Sequence, residues 1–219
     1  MAGSPRRTGR PRSAAADRAI LDATRAALVE LGWGRLTMEN VALRAGVAKT
    51  TLYRRWANKN ELVVDAVAVL FDELELPDHG SLRADVEGVV LSFAALLERP
   101  EAKTALMAVV AEATRDEALR ARIRTAIVDR QKHLVVEGRR RAQARGELPP
   151  DPPGSRGAAE ADRAVDLVFD VIAGAVVHRC LVSTERVTPA WARSFTTLLL
   201  HGLTAAPSGP DGPDGPDGA

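Results

Sequence analysis

Cysteine is nearly absent: Cys180 stands alone in 219 residues. No intrachain disulfide and no multi-cysteine zinc site can form, which fits a reducing cytoplasm. Aromatic residues make up only 4%. A chain so poor in them, with Ala, Leu and Val dominant, favours helices over large sheets. No uninterrupted apolar run reaches the roughly 18 residues of a membrane span. No apolar signal stretch follows the basic start MAGSPRRTGRPRS, so neither export nor a membrane partner is expected. The four histidines, His79, His133, His178 and His201, are scattered without metal-ligand spacing. Gly-rich phosphate loops, Cys-x-x-Cys, His-Glu-x-x-His and Gly-x-Ser-x-Gly are all missing. No metal, cofactor or catalytic residue is therefore expected, and the chain does not read as an enzyme.

What is present is apolar content and a lopsided charge. Hydrophobic residues make up 46%, and the mean hydropathy is −0.10. That profile belongs to a globular protein of one or two modest domains, not to a disordered chain. Residues 1–60 hold twelve Lys and Arg against four Asp and Glu, a net +8. The remaining 159 residues hold 18 against 25, a net −7. Such asymmetry points to a polyanion partner for the first part alone.

The apolar spacing places helices along almost the whole chain. Residues 1–12 form a basic, Gly- and Pro-punctuated arm with Arg6, Arg7, Arg10 and Arg12, expected to be disordered. Ser13 is a candidate cap for a helix over 14–31, ended by Gly32-Trp33-Gly34. Short helices are predicted from Thr37 to Arg44 and from Ala48 to Arg54. A fourth over 59–74 would be capped by Asn58, with Glu61 completing a capping-box-like pair. Pro77-Asp78-His79-Gly80 reads as a linker. Helices follow over 82–98, 101–113, 116–145, 160–183 and 189–204, with 146–159 as a loop. Three Gly-Pro-Asp triplets, 209–217, form an acidic tail with no folding signal. The expected domains are thus 13–76 and 77–206, flanked by the arm 1–12 and the tail 207–219.

The informative stretch is TMENVALRAGVAKTTLYRRWANKNEL, Thr37 to Leu62. A short helix ends at Gly46, which can take the positive φ that a sharp turn needs. A second short helix then presents Lys49, Thr50, Thr51, Tyr53 and Arg54, with Leu52 turned inward. Cations, small hydroxyls and a phenol on so short a helix suit a DNA major groove. Basic residues of the arm, Arg10 and Arg12 among them, suit the minor groove or phosphates.

Residues 14–62 resemble the DNA-binding domain of the tetracycline-repressor (TetR/AcrR) family of bacterial regulators. The resemblance rests on a first helix ending near Gly32-Trp33 and on Thr37-x-x-x-Val41-Ala42-x-x-Ala45-Gly46-Val47. Thr51-Leu52-Tyr53-Arg54, Asn58-Lys59-x-Glu61-Leu62 and the arm's Gly9-Arg10-Pro11-Arg12 complete it. It implies an all-α protein: a three-helix helix-turn-helix domain followed by a helical ligand-binding and dimerisation domain. It implies double-stranded DNA with a near-palindromic operator as partner. Thr37 would cap the second helix and touch phosphate. Lys49, Thr50, Thr51 and Tyr53 would meet bases or phosphates, and Lys59 would hold a phosphate. Arg54 and Arg55, with Trp56, stand where the family commonly has His-Phe, and the two arginines would add phosphate affinity. Ala48 departs from a common serine and cannot cap the recognition helix.

The second half is read less sharply. The helix over 160–183 is apolar almost all round, so it must be buried on more than one side. With the last helix it suits a homodimer interface of Val168, Ile172, Ala175, Val176, Trp191, Phe195, Leu198 and Leu199. By family habit, an unknown small-molecule effector would sit near Phe93, Leu97, Met107, Val110, Phe169, Ile172 and His178. Glu87, Glu112 and Asp170 would favour a cationic ligand if they faced it. Cys180 reads as a small buried apolar residue. The resulting expectation is a cytoplasmic, dimeric repressor released from its operator by a ligand. A same-fold regulator without an effector, and a helical enzyme or carrier that binds polyanions loosely, are the alternatives.

Overall fold

The computed structural model describes residues 14–183 and 185–205, and every regular element among them is helical. The arm with its four arginines, Ser13 and the Gly-Pro-Asp tail lie outside the described residues.

Helix α1 (Ala14–Arg35) buries Ile20, Thr24, Ala27 and Leu28. The Thr24 hydroxyl donates to the Ile20 carbonyl at 2.8 Å, so its burial leaves no orphan donor. At Gly32 the backbone turns to φ 73°, ψ 168°, a break where Gly-Trp-Gly predicts the helix to end. A Cβ there would meet nothing within 4 Å, so the left-handed φ alone demands glycine.

Helices α2 (Met38–Arg44), α3 (Lys49–Tyr53) and α4 (Lys59–Phe71) follow. Thr37 caps α2 in a reciprocal box: its Oγ1 accepts from the Asn40 amide at 3.1 Å, and Asn40 Oδ1 accepts from the Thr37 amide at 3.2 Å. Gly46 turns the chain at φ 64°. Asn58 caps α4 by accepting from Glu61 N at 2.9 Å, while the Glu61 carboxylate reaches one residue further, to Ala57 N at 3.0 Å.

The second half comprises α5 (Leu82–Glu98), α6 (Pro100–Ala113), α7 (Glu117–Ile123), α8 (Asp129–Ala144), α9 (Gly154–Val177) and α10 (Pro189–Ala205). Two expectations about it are corrected. The helix expected over 116–145 is interrupted by a π-helical turn, Arg124–Val128, between α7 and α8. Such wider turns often mark functional places in a helix. The loop expected over 146–159 is shorter, because α9 already starts at Gly154. Pro153 is extended at φ −69°, ψ 155° and launches the helix, and the Ala-rich sequence after it sustains it. Gly157 is required there: a Cβ would lie 1.9 Å from the Pro152 carbonyl oxygen. A second π turn, His178–Val182, extends α9.

One hydrophobic cluster runs from Ile20 to Leu199. Helix α1 packs on α2, α4 and α6, and α4 touches α6, α7 and the π turn after α7. Helix α5 lies against α6, α8, α9 and α10. The two halves therefore share a core, with α4 as its central member.

Candidate nucleic-acid interface and cavity

Helix α3 is anchored from beneath. Leu52 is fully buried, and Trp56 is 6% exposed. Trp56 Nε1 donates to Asp65 Oδ2 on α4 at 2.9 Å, which fixes the exit of α3. The opposite face is open: Lys49, Thr50, Tyr53 and Arg54 are exposed, and Thr51 is half-buried. Thr37 is exposed at the N-terminus of α2, close to the acidic Glu39. Ala48 at the N-cap of α3 makes no side-chain cap, so the helix starts with its first amides uncapped by a side chain.

Three of the cations that the sequence reading assigned to DNA have protein partners. Lys49 forms an ion pair with Glu39 of α2, and its ammonium lies 5.7 Å from the centre of the Tyr53 ring. The pairing holds the Glu39 carboxyl below its ordinary range and the Lys49 ammonium above its own. Arg55 is turned inward onto Asp17 of α1, with only 13% of its side chain exposed. This placement ties α3 to α1 and withdraws Arg55 from the outward face on which the sequence reading put it. Lys59 donates to the Trp33 carbonyl at 3.0 Å, with its ammonium 4.7 Å from the centre of the Trp33 ring. It thereby ties the end of α1 to the start of α4.

The second half forms a partly open cavity of about 510 Å³, walled mainly by apolar side chains. Phe93, Val110, Phe169 and Ile172 line it, as the sequence reading expected. Leu97 does not: it lies one turn further along α5 and is packed in the core at 1% exposure. Met107 faces outward at 46% exposure, because Ala105, Leu106 and Val109 take the inner face of α6. His178 is exposed, with Nδ1 3.3 Å from Ser183 Oγ. Glu87, Glu112 and Asp170 are not among the lining residues; the acid that is there is Asp85.

Two groups of lining residues are not among those the sequence reading named, and the first comes from a helix it did not connect with a ligand. Phe71, the last residue of α4, forms part of the wall. So do Ile123, Ile127 and Val128, at and within the π turn after α7. Next to them, Arg122 Nη2 donates to Asp65 Oδ1 at 2.7 Å, on the carboxylate that also holds Trp56. A lone acid inside the apolar run of α4 was the available signal, since a partly buried carboxylate needs partners.

The apolar surface of α9 and α10 divides differently from expectation. Val168, Ile172 and Leu199 face the cavity, and Val176 is fully buried in the core. An all-round apolar helix has two inward flanks here, one on α5 and one on α8. The outward stripe of α9 is Val171, Gly174 and His178, all exposed at helical spacing, while Leu167, one turn before Val171 and also exposed, lines the cavity where it opens to solvent. On α10, Leu198 is 74% exposed. Trp191 and Phe195 stack with ring centres 5.1 Å apart and remain half-exposed. Arg179 lies 5.0 Å from the centre of the Trp191 ring and pairs with Glu185 at 2.7 Å, fastening the end of α9 to the start of α10. Cys180 is half-buried against the core, and burial raises its thiol pKa, so it has no thiolate character.

This geometry matches known proteins along its length. The family model "Bacterial regulatory proteins, tetR family" matches residues 20–66, and "Tetracyclin repressor-like, C-terminal domain" matches residues 76–155. A solved TetR family transcription regulator, SCO0332, is 30% identical, with a TM-score of 0.67 over 85% of this chain and 97% of its own.

The chain belongs to the TetR family of transcriptional regulators.

It is also similar to YdeS of Bacillus subtilis strain 168, an uncharacterized HTH-type transcriptional regulator. The two are 28% identical over 198 residues, 90% of this chain and 94% of that one. The DNA-binding transcriptional repressor TetR of Mycobacteroides abscessus is 41% identical over 81 residues, 36% of this chain and 40% of that one. The helix-turn-helix of this TetR family member is thus α2 and α3, and the family assigns the protein to DNA binding and transcription regulation. Among the described residues no helix is long and apolar enough to cross a membrane.

Proposed function

We propose that the protein is a homodimeric repressor that acts in the cytoplasm and leaves its operator when a small molecule fills the cavity between α4, α5, α8 and α9. One observation carries this reading: the same helix, α4, serves both sites. Its first turn is tied to the end of α1 by Lys59 on Trp33, and its last residue, Phe71, is cavity wall. Between them, Asp65 joins Trp56 at the exit of α3 to Arg122 at the edge of the π turn. A molecule that displaces Phe71, Ile123 or Ile127 acts on a rigid rod whose other end sets the recognition helix. It weakens DNA binding only to the extent that it prefers the conformation with misplaced recognition helices.

The two recognition helices would come from two copies of the chain, since one short helix spans too few base pairs for a specific site. The outward stripes Val171–Gly174–His178 and Trp191–Phe195–Leu198 support a two-fold pairing of α9 and α10 from each copy. Lys49, Thr50, Thr51, Tyr53 and Arg54 would read or grip DNA, with Thr37, Arg10 and Arg12 on phosphates or the adjacent groove. Arg55 and Lys59 act through position, holding α3 and α4 against α1.

The test is footprinting and operator titration on the DNA flanking the protein's own gene, followed by the same titration across a metabolite panel. Coupling of this kind typically moves affinity about 5–150-fold and is reciprocal. The true effector therefore binds more weakly to the operator complex by the factor with which it weakens DNA binding. A tight cavity ligand that binds equally well with and without operator would overturn the gating.

A further inference from the structure

Among the residues lining the cavity, Gln131 stands apart. It comes from α8, is only 5% exposed, and its Oε1 is buried without a hydrogen-bond partner. A carboxamide oxygen in that condition has no donor from the protein, and buried polar atoms of this kind are normally paired. The rest of the lining is mostly hydrocarbon: Phe71 and Phe93, tilted against one another with centres 5.9 Å apart, together with Phe169, Ile127 and Ile172.

The two charged lining residues are already committed. Asp85 is fully buried, and its oxygens accept from His79 N at 2.7 Å and from Arg145 Nη2 at 2.8 Å. Arg139 is paired with Asp151, whose carboxyl it holds below the ordinary range. Neither offers a free charge to a ligand. An ionised ligand would exchange water for an apolar wall with no counter-charge, which is strongly unfavourable.

From this we propose that the cavity takes a neutral, mostly hydrocarbon molecule bearing one hydrogen-bond donor, a hydroxyl or N–H, that pairs with the Gln131 carboxamide oxygen. The proposal names the ligand for the gating read above and rests on that reading for its regulatory meaning, but its chemistry is tested separately. The terminal torsion of a glutamine is soft, so its amide turns readily to meet a donor. The volume of about 510 Å³ lies within the range of ordinary small-molecule sites. Carboxylates and cations are the classes the site rejects.

The experiment is calorimetric titration of the full-length protein at pH 7.5 with three molecules of one skeleton: 4-pentylphenol, pentylbenzene and 4-pentylbenzoate. The phenol is expected to bind about tenfold more tightly than pentylbenzene, the value of one desolvated hydrogen bond. The benzoate is expected to bind most weakly. Gln131→Met keeps an unbranched side chain of similar length and removes the acceptor. In that variant phenol and pentylbenzene should bind alike, with circular dichroism showing the fold retained. Ala173→Trp, which fills the cavity, should abolish binding of all three.

Equal affinity of phenol and pentylbenzene for the unaltered protein overturns the proposal. So does a phenol advantage that survives Gln131→Met, preference for the benzoate, or no binding of any of the three. Operator titration in the presence of the phenol is the separate arm. If the order of binding holds and operator affinity does not move, the ligand chemistry stands and the gating falls. If the order fails while another molecule that Ala173→Trp excludes releases the operator, the gating stands and this ligand class falls.

Discussion

Helices α4 and α9 are both strongly apolar, yet they are packed in opposite ways. In α4, Leu62, Val63, Val64, Ala66, Val67, Ala68 and Leu70 are each 2% exposed or less. Neighbours close on it from α1, α6 and α7. Helix α9 has one flank along a cavity and another open to solvent, with Val171 39% exposed. Apolar content is therefore not a measure of rigidity. A helix packed without voids has one position and moves as a unit, because close-packed interiors do not deform continuously. A helix beside a void has room to be pushed. Under the proposed gating the contrast would divide the labour between a receiver and a transmitter, and it can be broken experimentally.

The largest effect expected is in the core of α4. Leu62→Ala should lower the unfolding free energy by about 2–5 kcal/mol, as large-to-small changes at fully buried sites do. Overpacking sharpens the comparison: Val67→Phe should cost about 1–3 kcal/mol, whereas Val168→Phe, whose side chain borders the cavity, should be nearly neutral. Urea denaturation of the three variants decides it. Equal penalties for the two phenylalanine variants would mean that the cavity walls are as unyielding as α4. The open flank of α9 and α10 is probed next by Leu198→Arg. At 74% exposure in the monomer this change should leave unfolding almost unaltered. Sedimentation should nevertheless show monomers, because an unpaired arginine would be buried in the pairing of two copies. An intact dimer would place the interface elsewhere.

Smaller effects belong to the recognition face. Tyr53→Ala should lose about 1–3 kcal/mol of discrimination at one operator position if the phenol meets a base. Arg54→Ala should weaken binding to all sequences and reduce the salt slope by about one if the guanidinium meets a phosphate. Both residues are exposed, so thermal unfolding should not change. Unchanged operator affinity in both would displace α3 from its role. The smallest effect runs the other way. Ala48→Ser supplies the missing side-chain cap of α3 and should raise stability by about 1 kcal/mol, measured by denaturant titration. No gain would indicate that α3 is held wholly by Leu52 and Trp56 from below.

The sequence announces the first half more clearly than the second, and the reason is the range of the signals. Thr37, Gly46 and Asn58 act on amides within three residues or on their own backbone angle, so their roles are readable where they stand. The inward turn of Arg55 depends on Asp17, far away in sequence, and no local pattern announces it. In α9 and α10 the period of the apolar residues cannot tell a flank that meets α5 from one that would meet a second copy, so the pattern alone puts Ile172 and Leu199 at an interface. Other signals are present in the sequence. Gln131 lies on the stripe Leu134, Val135, Gly138 and Ala142 of an otherwise charged helix, a polar residue on an inward face. Asp65 is the one acid in the apolar run Leu62–Phe71. A π turn has no such signature, because its wider hydrogen bonding answers to packing on both sides.

The ion pair between Lys49 and Glu39 has a kinetic consequence. From a distance the pair is a small dipole, so Lys49 adds little to the field that draws the protein toward DNA. In the proposed complex that task would fall to exposed cations such as Arg54 and to the arm. Only at contact can a phosphate or a guanine edge compete with Glu39 for the ammonium, and Lys49 then works against departure. Removing the pair as a whole, Lys49→Ala together with Glu39→Gln, is accordingly expected to shorten the lifetime of the operator complex while the association rate stays the same. Stopped-flow and dissociation measurements at one ionic strength separate the two, and a slowed association with an unchanged lifetime would refute the assignment. The acid beside the recognition helix thus makes the protein's search of DNA and its residence on a site separately adjustable.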